Sequence, residues 1–154
     1  MAGSTKIKLA PKKPTKAGLT RVKLVKAGAA KFVATNAAGA TGVIDGPADM
    51  GGENAGLRPM ETLLSALAGC SAMDVMLIMK KQRQVLERLE VEVEGQRADA
   101  VPAVFTKIHV RFKGYGPIDL AKFQKAVQLS IEKYCSVSKM LRPAVAITAE
   151  GVLG

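Results

Sequence analysis

The chain has 154 residues, of which 48% are hydrophobic, with a mean hydropathy of +0.14; it is long and apolar enough to bury a core and is not a disordered chain. Two cysteines are too few for the disulfide framework of a small secreted protein, and the single histidine, His109, excludes multi-histidine metal sites and argues against a His-dependent triad. Lys and Arg outnumber Asp and Glu by 23 to 13, a net charge of +10. We expect no metal and no cofactor.

The excess positive charge lies at the N-terminus. Eight of the 23 basic residues fall within residues 1–26, which contain no acid, so the rest of the chain carries a net charge of only +2. We predict that residues 1–20 form a basic, flexible arm and that residues 21–154 form a single domain. A nucleic-acid-binding role for the arm is the alternative, but no aromatic residues are interleaved with its lysines to stack on bases.

Short apolar alternation predicts a β-hairpin at the start of the domain. Its strands are expected at Arg21–Val25 and Lys31–Thr35, and Val43–Asp45 is a possible third strand. Residues 46–56 are rich in glycine and other turn-forming residues, which predicts a loop.

The longest predicted helix runs from Glu61 to about Gln84, with Pro59 placed where a first helical turn tolerates proline. Its segment Leu63–Met79 is apolar nearly all round, is too short to span a membrane and carries Asp74 at its middle. Such a helix is normally buried on every side, whereas one modest antiparallel sheet covers only one of them. We therefore predict a homodimer with this helix at its centre.

Alternating residues predict two further strands, one with an acidic and one with a basic exposed face, which favours antiparallel pairing of the two. Gly114 and Gly116 are expected to end the second of these strands. The predicted elements in this half of the chain are strands at Leu89–Glu94 and Val104–Lys113, helices at Asp119–Tyr134 and Ser136–Leu141, and a last strand at Ala144–Thr148.

The two cysteines are the strongest candidate nucleophiles. Cys70 lies within the long helix and Cys135 follows the second one, although either can equally be a small buried hydrophobe. Asp74 is one turn after Cys70 and shares its face, whereas Glu61 lies about two and a half turns before it, on the opposite side of an ideal helix. Arg58, just before the helix, is the nearest cation to Cys70 in the sequence before it. The simpler interpretation of Arg58 is an exposed charge in a loop.

The run PMETLLSALAGCSAMDV at Pro59–Val75 resembles the OsmC/Ohr family of bacterial peroxide-handling proteins. The resemblance extends to residues 80–84, 105–108 and 132–137, and so covers roughly residues 20–152. The residues of this motif are most similar to those of a less characterised, OsmC-like branch of the family. It implies an α+β fold in which antiparallel sheets wrap around two long central helices of an intertwined homodimer.

For the site, the resemblance implies a cysteine-based peroxidase. Cys70 matches the peroxidatic cysteine, which attacks the peroxide O–O bond and becomes a sulfenic acid, and Cys135 matches the resolving cysteine, which condenses with it to a disulfide. A dithiol reductant, of lipoyl type in this family, then regenerates the pair. The implied substrate is a small apolar hydroperoxide.

Two positions depart from the pattern of the family's peroxidases. Where they have a glutamate ten residues before the cysteine, this chain has Met60, so that the adjacent Glu61 becomes the third catalytic candidate. Where they have an arginine on an N-terminal strand, Lys31 is the nearest stand-in, and Arg58 and Asp74 are the other candidate supporting residues. The alternative function is therefore a non-catalytic or weakly reactive member that binds an apolar ligand or acts as a redox-sensitive partner. We expect a cytoplasmic protein with no membrane partner.

Overall fold

The computed structural model describes residues 18–154, so most of the predicted arm lies outside the described residues. The chain divides into two compact units, one ending at Arg58 and one spanning Pro59–Gly154. The single domain predicted for residues 21–154 stays a prediction.

The first unit contains an antiparallel meander of three strands. These are β1 (Val22–Lys26), β2 (Lys31–Asn36) and β3 (Thr41–Asp45), which lie side by side in sequence order. The predicted hairpin and third strand are thus confirmed. The predicted loop is also confirmed, with one short 3-10 turn at Ala48–Met50.

A buried carboxylate organises this loop. Asp45 is 1% exposed, and its two oxygens accept hydrogen bonds of 2.9–3.0 Å from the backbone N–H groups of Gly46, Glu53 and Ala55. These hydrogen bonds, led by the one from Ala55, together with the positive charge of Lys31, hold the pKa of Asp45 below its usual value. The loop is therefore anchored at both ends to the end of β3.

The second unit combines helices with a three-stranded sheet. Its elements are α1 (Pro59–Lys81), β4 (Arg88–Arg97), β5 (Phe105–Tyr115), α2 (Leu120–Leu129), a π turn (Ser130–Tyr134), α3 (Ser136–Leu141) and β6 (Ala146–Leu153). As predicted, α1 begins near Pro59; it ends before Arg83, which takes a left-handed φ of 56°. The side chain of Asp119 accepts a 2.8 Å hydrogen bond from the Lys122 N–H, which starts α2 where the sequence indicates.

The sheet of the second unit has the order β4-β5-β6. β4 and β5 are antiparallel, with Glu90 opposite Lys113 and Glu92 opposite Arg111, as the charged faces predict. β6 extends to Leu153 and lies parallel to β5. A parallel pair requires a crossover connection, which the segment from α2 to α3 supplies. The described residues thus form two three-stranded sheets, and the α+β class is confirmed; the parallel pairing of β5 with β6 is the one departure from antiparallel sheets.

α1 has two apolar faces with different surroundings. One face packs within the second unit, where α1 contacts β4, α2 and α3, and its buried residues are Leu67, Ser71, Asp74, Val75, Ile78 and Met79. The other face is exposed in the single chain: Met73 is 70%, Met76 55% and Leu77 39% accessible, and a Cβ added at Gly69 would have no described residue beyond its own stretch of helix within 4 Å.

By length and composition α1 is able to cross a membrane, since it has 23 residues and a mean hydropathy of 1.7 in its most apolar stretch. This corrects the expectation drawn from the shorter segment Leu63–Met79. The same test is passed by core helices of soluble proteins; 33% of this stretch of α1 is buried in the single chain, where α1 packs against β4, α2 and α3.

Candidate active site

The structure brings the two cysteines together, although they belong to different elements of the second unit. The sulfurs of Cys70 and Cys135 and a carboxylate oxygen of Asp74 all lie within 4.8 Å of one another, and both thiols are free. A disulfide bond is about 2.05 Å long, so its closure requires the sulfurs to approach by less than about 3 Å. We call these three residues the cysteine–aspartate cluster.

α1 supplies two members of the cluster. Cys70 and Asp74 are separated by one helical turn and share a side of the helix, as the sequence predicts. Asp74 is only 3% exposed, whereas Cys70 is half-buried and lies at the edge of the exposed apolar face. Cys70 is therefore the member of the cluster that a dissolved molecule can reach.

The third member is positioned by a break in the helix that precedes it. The sequence predicts a regular helix as far as Tyr134, but from Ser130 onward the backbone widens into the π turn. Cys135 then takes an extended conformation, with φ −70° and ψ 113°, and caps α3 by accepting a 3.4 Å hydrogen bond at Sγ from the Ser138 N–H. The helical segment thus ends at Tyr134 as the sequence predicts, but its last turn is a π turn directly before Cys135, and such turns are frequent at functional sites.

Buried serine hydroxyls hold α1 and the Cys135 segment in place. Ser130 Oγ donates a 2.9 Å hydrogen bond to the Ser71 carbonyl, next to Cys70, and Ser138 Oγ donates one of 2.7 Å to the Ile131 carbonyl. Sequence reasoning missed Ser130 and Ser138, and the available signal was a small polar residue on either side of Cys135. The first bond links the two cysteine-bearing segments directly, and the second lies within the segment that carries Cys135.

The two thiols differ in their surroundings. Cys135 is 1% exposed, and this burial raises its pKa to about 11. The hydrogen bond from the Ser138 N–H opposes the shift in the pKa of Cys135, and a hydrogen bond and charge interaction with Cys70 add to it. Cys135 is therefore a thiol, not a thiolate, at neutral pH.

The other candidates lie outside the cluster. Glu61 is exposed in the first turn of α1, and helical geometry places it on the opposite side from Cys70. Lys31 and Arg58 belong to the first unit. Lys31 forms an ion pair with Glu53, whose hydrogen bond raises the pKa of Lys31, and Arg58 is exposed. The catalytic or supporting roles of these three residues stay predictions.

The chain is similar to several known proteins. The OsmC-like protein family matches residues 51–150, which include both cysteines. The chain is 45% identical to Protein YhfA of Escherichia coli K12 over 91 residues, 58% of this chain and 68% of YhfA. The crystal structure of a hypothetical protein from Aquifex aeolicus VF5 matches with a TM-score of 0.74 and 30% identity, over 89% of this chain and 98% of that one. OhrB, the organic hydroperoxide resistance protein of Bacillus subtilis, shares the fold with a TM-score of 0.62 and 20% identity, over 88% of this chain and 98% of OhrB. The chain therefore belongs to the OsmC-like protein family and has the fold of the OsmC/Ohr proteins.

Proposed function

We propose that the protein is a thiol-dependent peroxidase that reduces small organic hydroperoxides through Cys70 and Cys135. The observation that carries this proposal is the pairing of a half-exposed and a fully buried thiol within 4.8 Å. Membership of the OsmC-like family supports it, as does the shared fold with a protein named for organic hydroperoxide resistance.

The reaction divides into three steps. The Cys70 thiolate attacks one peroxide oxygen, the O–O bond breaks, the alcohol leaves with a proton, and Cys70 becomes a sulfenic acid. Cys135 then loses its proton and attacks the Cys70 sulfur, so that water leaves and a disulfide forms. An external dithiol, for which we propose a lipoyl-type compound, reduces this disulfide by thiol–disulfide exchange. Such a cycle suits the reducing cytoplasm, where we place the protein.

The order of the two cysteines follows from their exposure. A hydroperoxide can approach Cys70, whereas Cys135 is buried and protonated at neutral pH. Met73 and Leu77, both exposed in the single chain, follow Cys70 on the same helix within two turns. A molecule that reaches Cys70 at the edge of this face, which the dimer proposed below would otherwise cover, meets apolar side chains, and these favour an apolar hydroperoxide over hydrogen peroxide.

Intact-mass analysis after one equivalent of cumene hydroperoxide tests the mechanism. The reduced wild-type chain is expected to lose about 2 Da as the disulfide forms, whereas Cys135→Ser is expected to gain about 16 Da, the mass of a sulfenic oxygen. Cys70→Ser is expected to keep its mass, because its remaining thiol is buried and protonated.

Cumyl alcohol, which lacks the O–O bond, serves as the control compound and should change no mass. Survival of both wild-type thiols for many minutes would overturn the peroxidase proposal. The alternative would then be an OsmC-like protein that binds apolar ligands or senses redox state slowly.

We further propose that the exposed apolar face of α1 packs against the same face of a second copy. Met73, Met76 and Leu77 are all more than a third exposed, and Gly69 among them leaves room for a close approach. An exposed apolar patch of this kind is typical of an interface, and a self-complementary patch gives a two-fold dimer. The family resemblance, which implies an intertwined homodimer, supports this assignment.

Met73→Asp is expected to weaken the dimer by at least about 100-fold, because a carboxylate would be buried without a partner at the interface. Sedimentation equilibrium should give twice the chain mass of 16.2 kDa for the wild type and a shift toward the monomer for the variant. The control is Met140→Asp, since Met140 is 82% exposed but lies on α3, and it should remain dimeric. A monomeric wild type at 100-micromolar concentration, or equal weakening by both variants, would contradict the proposal.

A further inference from the structure

The geometry points to a second use of the cysteine–aspartate cluster: in the reduced protein, Cys70, Asp74 and Cys135 form a three-ligand site for a thiophilic divalent cation such as Zn²⁺. This inference does not require the peroxidase activity. It rests on the convergence of two sulfurs and one carboxylate oxygen within 4.8 Å in the second unit.

The distances are close to those of a bound ion. Zinc binds thiolate at about 2.3 Å and carboxylate oxygen at about 2.0–2.2 Å, so two sulfurs and one oxygen in tetrahedral positions are separated by about 3.5–3.8 Å. Atoms that already lie within 4.8 Å reach this separation by small side-chain rotations. No movement of a helix is required.

The elements that carry the ligands suit a metal site. Cys70 and Asp74 are four residues apart on α1, which is the spacing that places two ligands on one face of a helix in many zinc proteins. Cys135 is held opposite them by the Ser138 N–H, and the hydrogen bond from Ser130 to the Ser71 carbonyl fixes the two segments to each other. The site is thus largely assembled before an ion arrives.

The donor set and its burial also suit such an ion. Asp74 is 3% and Cys135 1% exposed, so an ion held between them would be largely shielded from water. Two thiolates and one carboxylate would together offset its positive charge. The disulfide cycle alone does not require an acidic residue at this position, whereas a metal site uses all three members of the cluster.

The fourth coordination position would face the accessible side of Cys70. A site with three protein ligands keeps this position for water or another small molecule. A bound ion would occupy both sulfurs and so block oxidation of Cys70, and disulfide formation would remove two ligands and release the ion. Binding of the ion and oxidation by peroxide are therefore mutually exclusive.

Metal titration of the reduced full-length chain, without peroxide, tests the site. We expect one Zn²⁺ per chain in competition with a chromogenic zinc chelator, and a thiolate-to-metal charge-transfer band when Co²⁺ is used instead. Asp74→Asn is expected to lower the affinity at least about tenfold, and Cys135→Ser to lower it further and to reduce the charge-transfer band by about half, since one of two sulfur ligands is lost. The control variant Asp99→Asn changes an exposed carboxylate and should bind as the wild type does.

Three results would overturn the inference. They are failure of the reduced wild type to bind Zn²⁺ at micromolar concentrations, unchanged affinity and Co²⁺ spectrum in Asp74→Asn, and equal binding by the disulfide form. Circular dichroism of each variant separates loss of a ligand from loss of the fold, and Cys135→Ser tests the site independently if Asp74→Asn does not fold. Because no peroxide is present, slow thiol oxidation in the mass experiment would leave this result unaffected.

Discussion

Phe123→Ala is expected to lower the free energy of unfolding by about 3–5 kcal/mol, the usual cost of truncating a fully buried phenylalanine. The Phe123 side chain is 0% exposed and packs from α2 against two glycines of the sheet. A Cβ added at Gly114 or at Gly151 would lie only 2.9 or 3.2 Å from its ring. Because these two glycines have no side chains that can move into the vacated space, we expect a cavity to remain.

Urea unfolding followed by circular dichroism measures this effect, with Leu120→Ala as the matched control. Leu120 lies on the same helix but is 41% exposed, so its truncation should cost less than about 1 kcal/mol. Similar losses in the two variants would show that α2 does not use Phe123 as its anchor on the sheet. The free energy of unfolding of a typical domain is roughly 5–15 kcal/mol, so a loss of this size would be a large part of it.

Gly114 also shows why the end of a strand is difficult to predict from the sequence. Alternation correctly predicts β5 up to Lys113, but Gly114 is interpreted as the end of the strand, whereas β5 continues to Tyr115. Gly114 lies inside the strand because the ring of Phe123 occupies the space that a side chain would need. Such a reason is tertiary, and no local pattern contains it.

Local patterns do predict the pairing of neighbouring strands. The acidic face of β4 and the basic face of β5 predict that the two strands pair antiparallel, and the structure places Glu92 opposite Arg111. The partner of β6 cannot be predicted in this way, because its parallel pairing with β5 depends on how α2 and α3 cross over the sheet. The π turn before Cys135 is likewise invisible to helical periodicity, which continues through it.

In the candidate site, too, local spacing predicts some neighbours, whereas others depend on how separate elements pack. The one-turn spacing on α1 is sufficient to predict that Asp74 lies beside Cys70. The proximity of Cys135 depends on the packing of separate elements, and only the family resemblance indicated it. Neither the spacing nor the resemblance identifies Ser130, whose hydroxyl links the two segments through the carbonyl of Ser71.

The second large effect concerns the ionisation of Cys135. In Cys70→Ser, where Cys135 is the remaining thiol, we expect little thiolate absorbance at 240 nm below pH 9 and a midpoint near pH 11, because burial penalises the charged form. The ordinary pKa of 9.0 would give half ionisation at pH 9, whereas a pKa of about 11 gives about 1%, a difference of about 50-fold. The serine at position 70 removes the charge interaction between the cysteines but leaves the burial, which is the largest cause of the shift.

The two tyrosines of the chain ionise in the same pH range, so each spectrum is compared with that of the Cys70→Ser/Cys135→Ser double variant, which has the same tyrosines. A midpoint at or below pH 9 would show that Cys135 is solvated and would remove the main difference between the two thiols.

A midpoint near pH 11 would make one step of the proposed cycle strongly dependent on pH. Because Cys135 must lose its proton before it attacks the Cys70 sulfenic acid, disulfide closure should then accelerate about tenfold per pH unit through the neutral range. The attack of Cys70 on the peroxide does not involve the proton of Cys135. The ionisation of Cys135 would therefore limit the rate of disulfide closure but not the rate of attack on the peroxide.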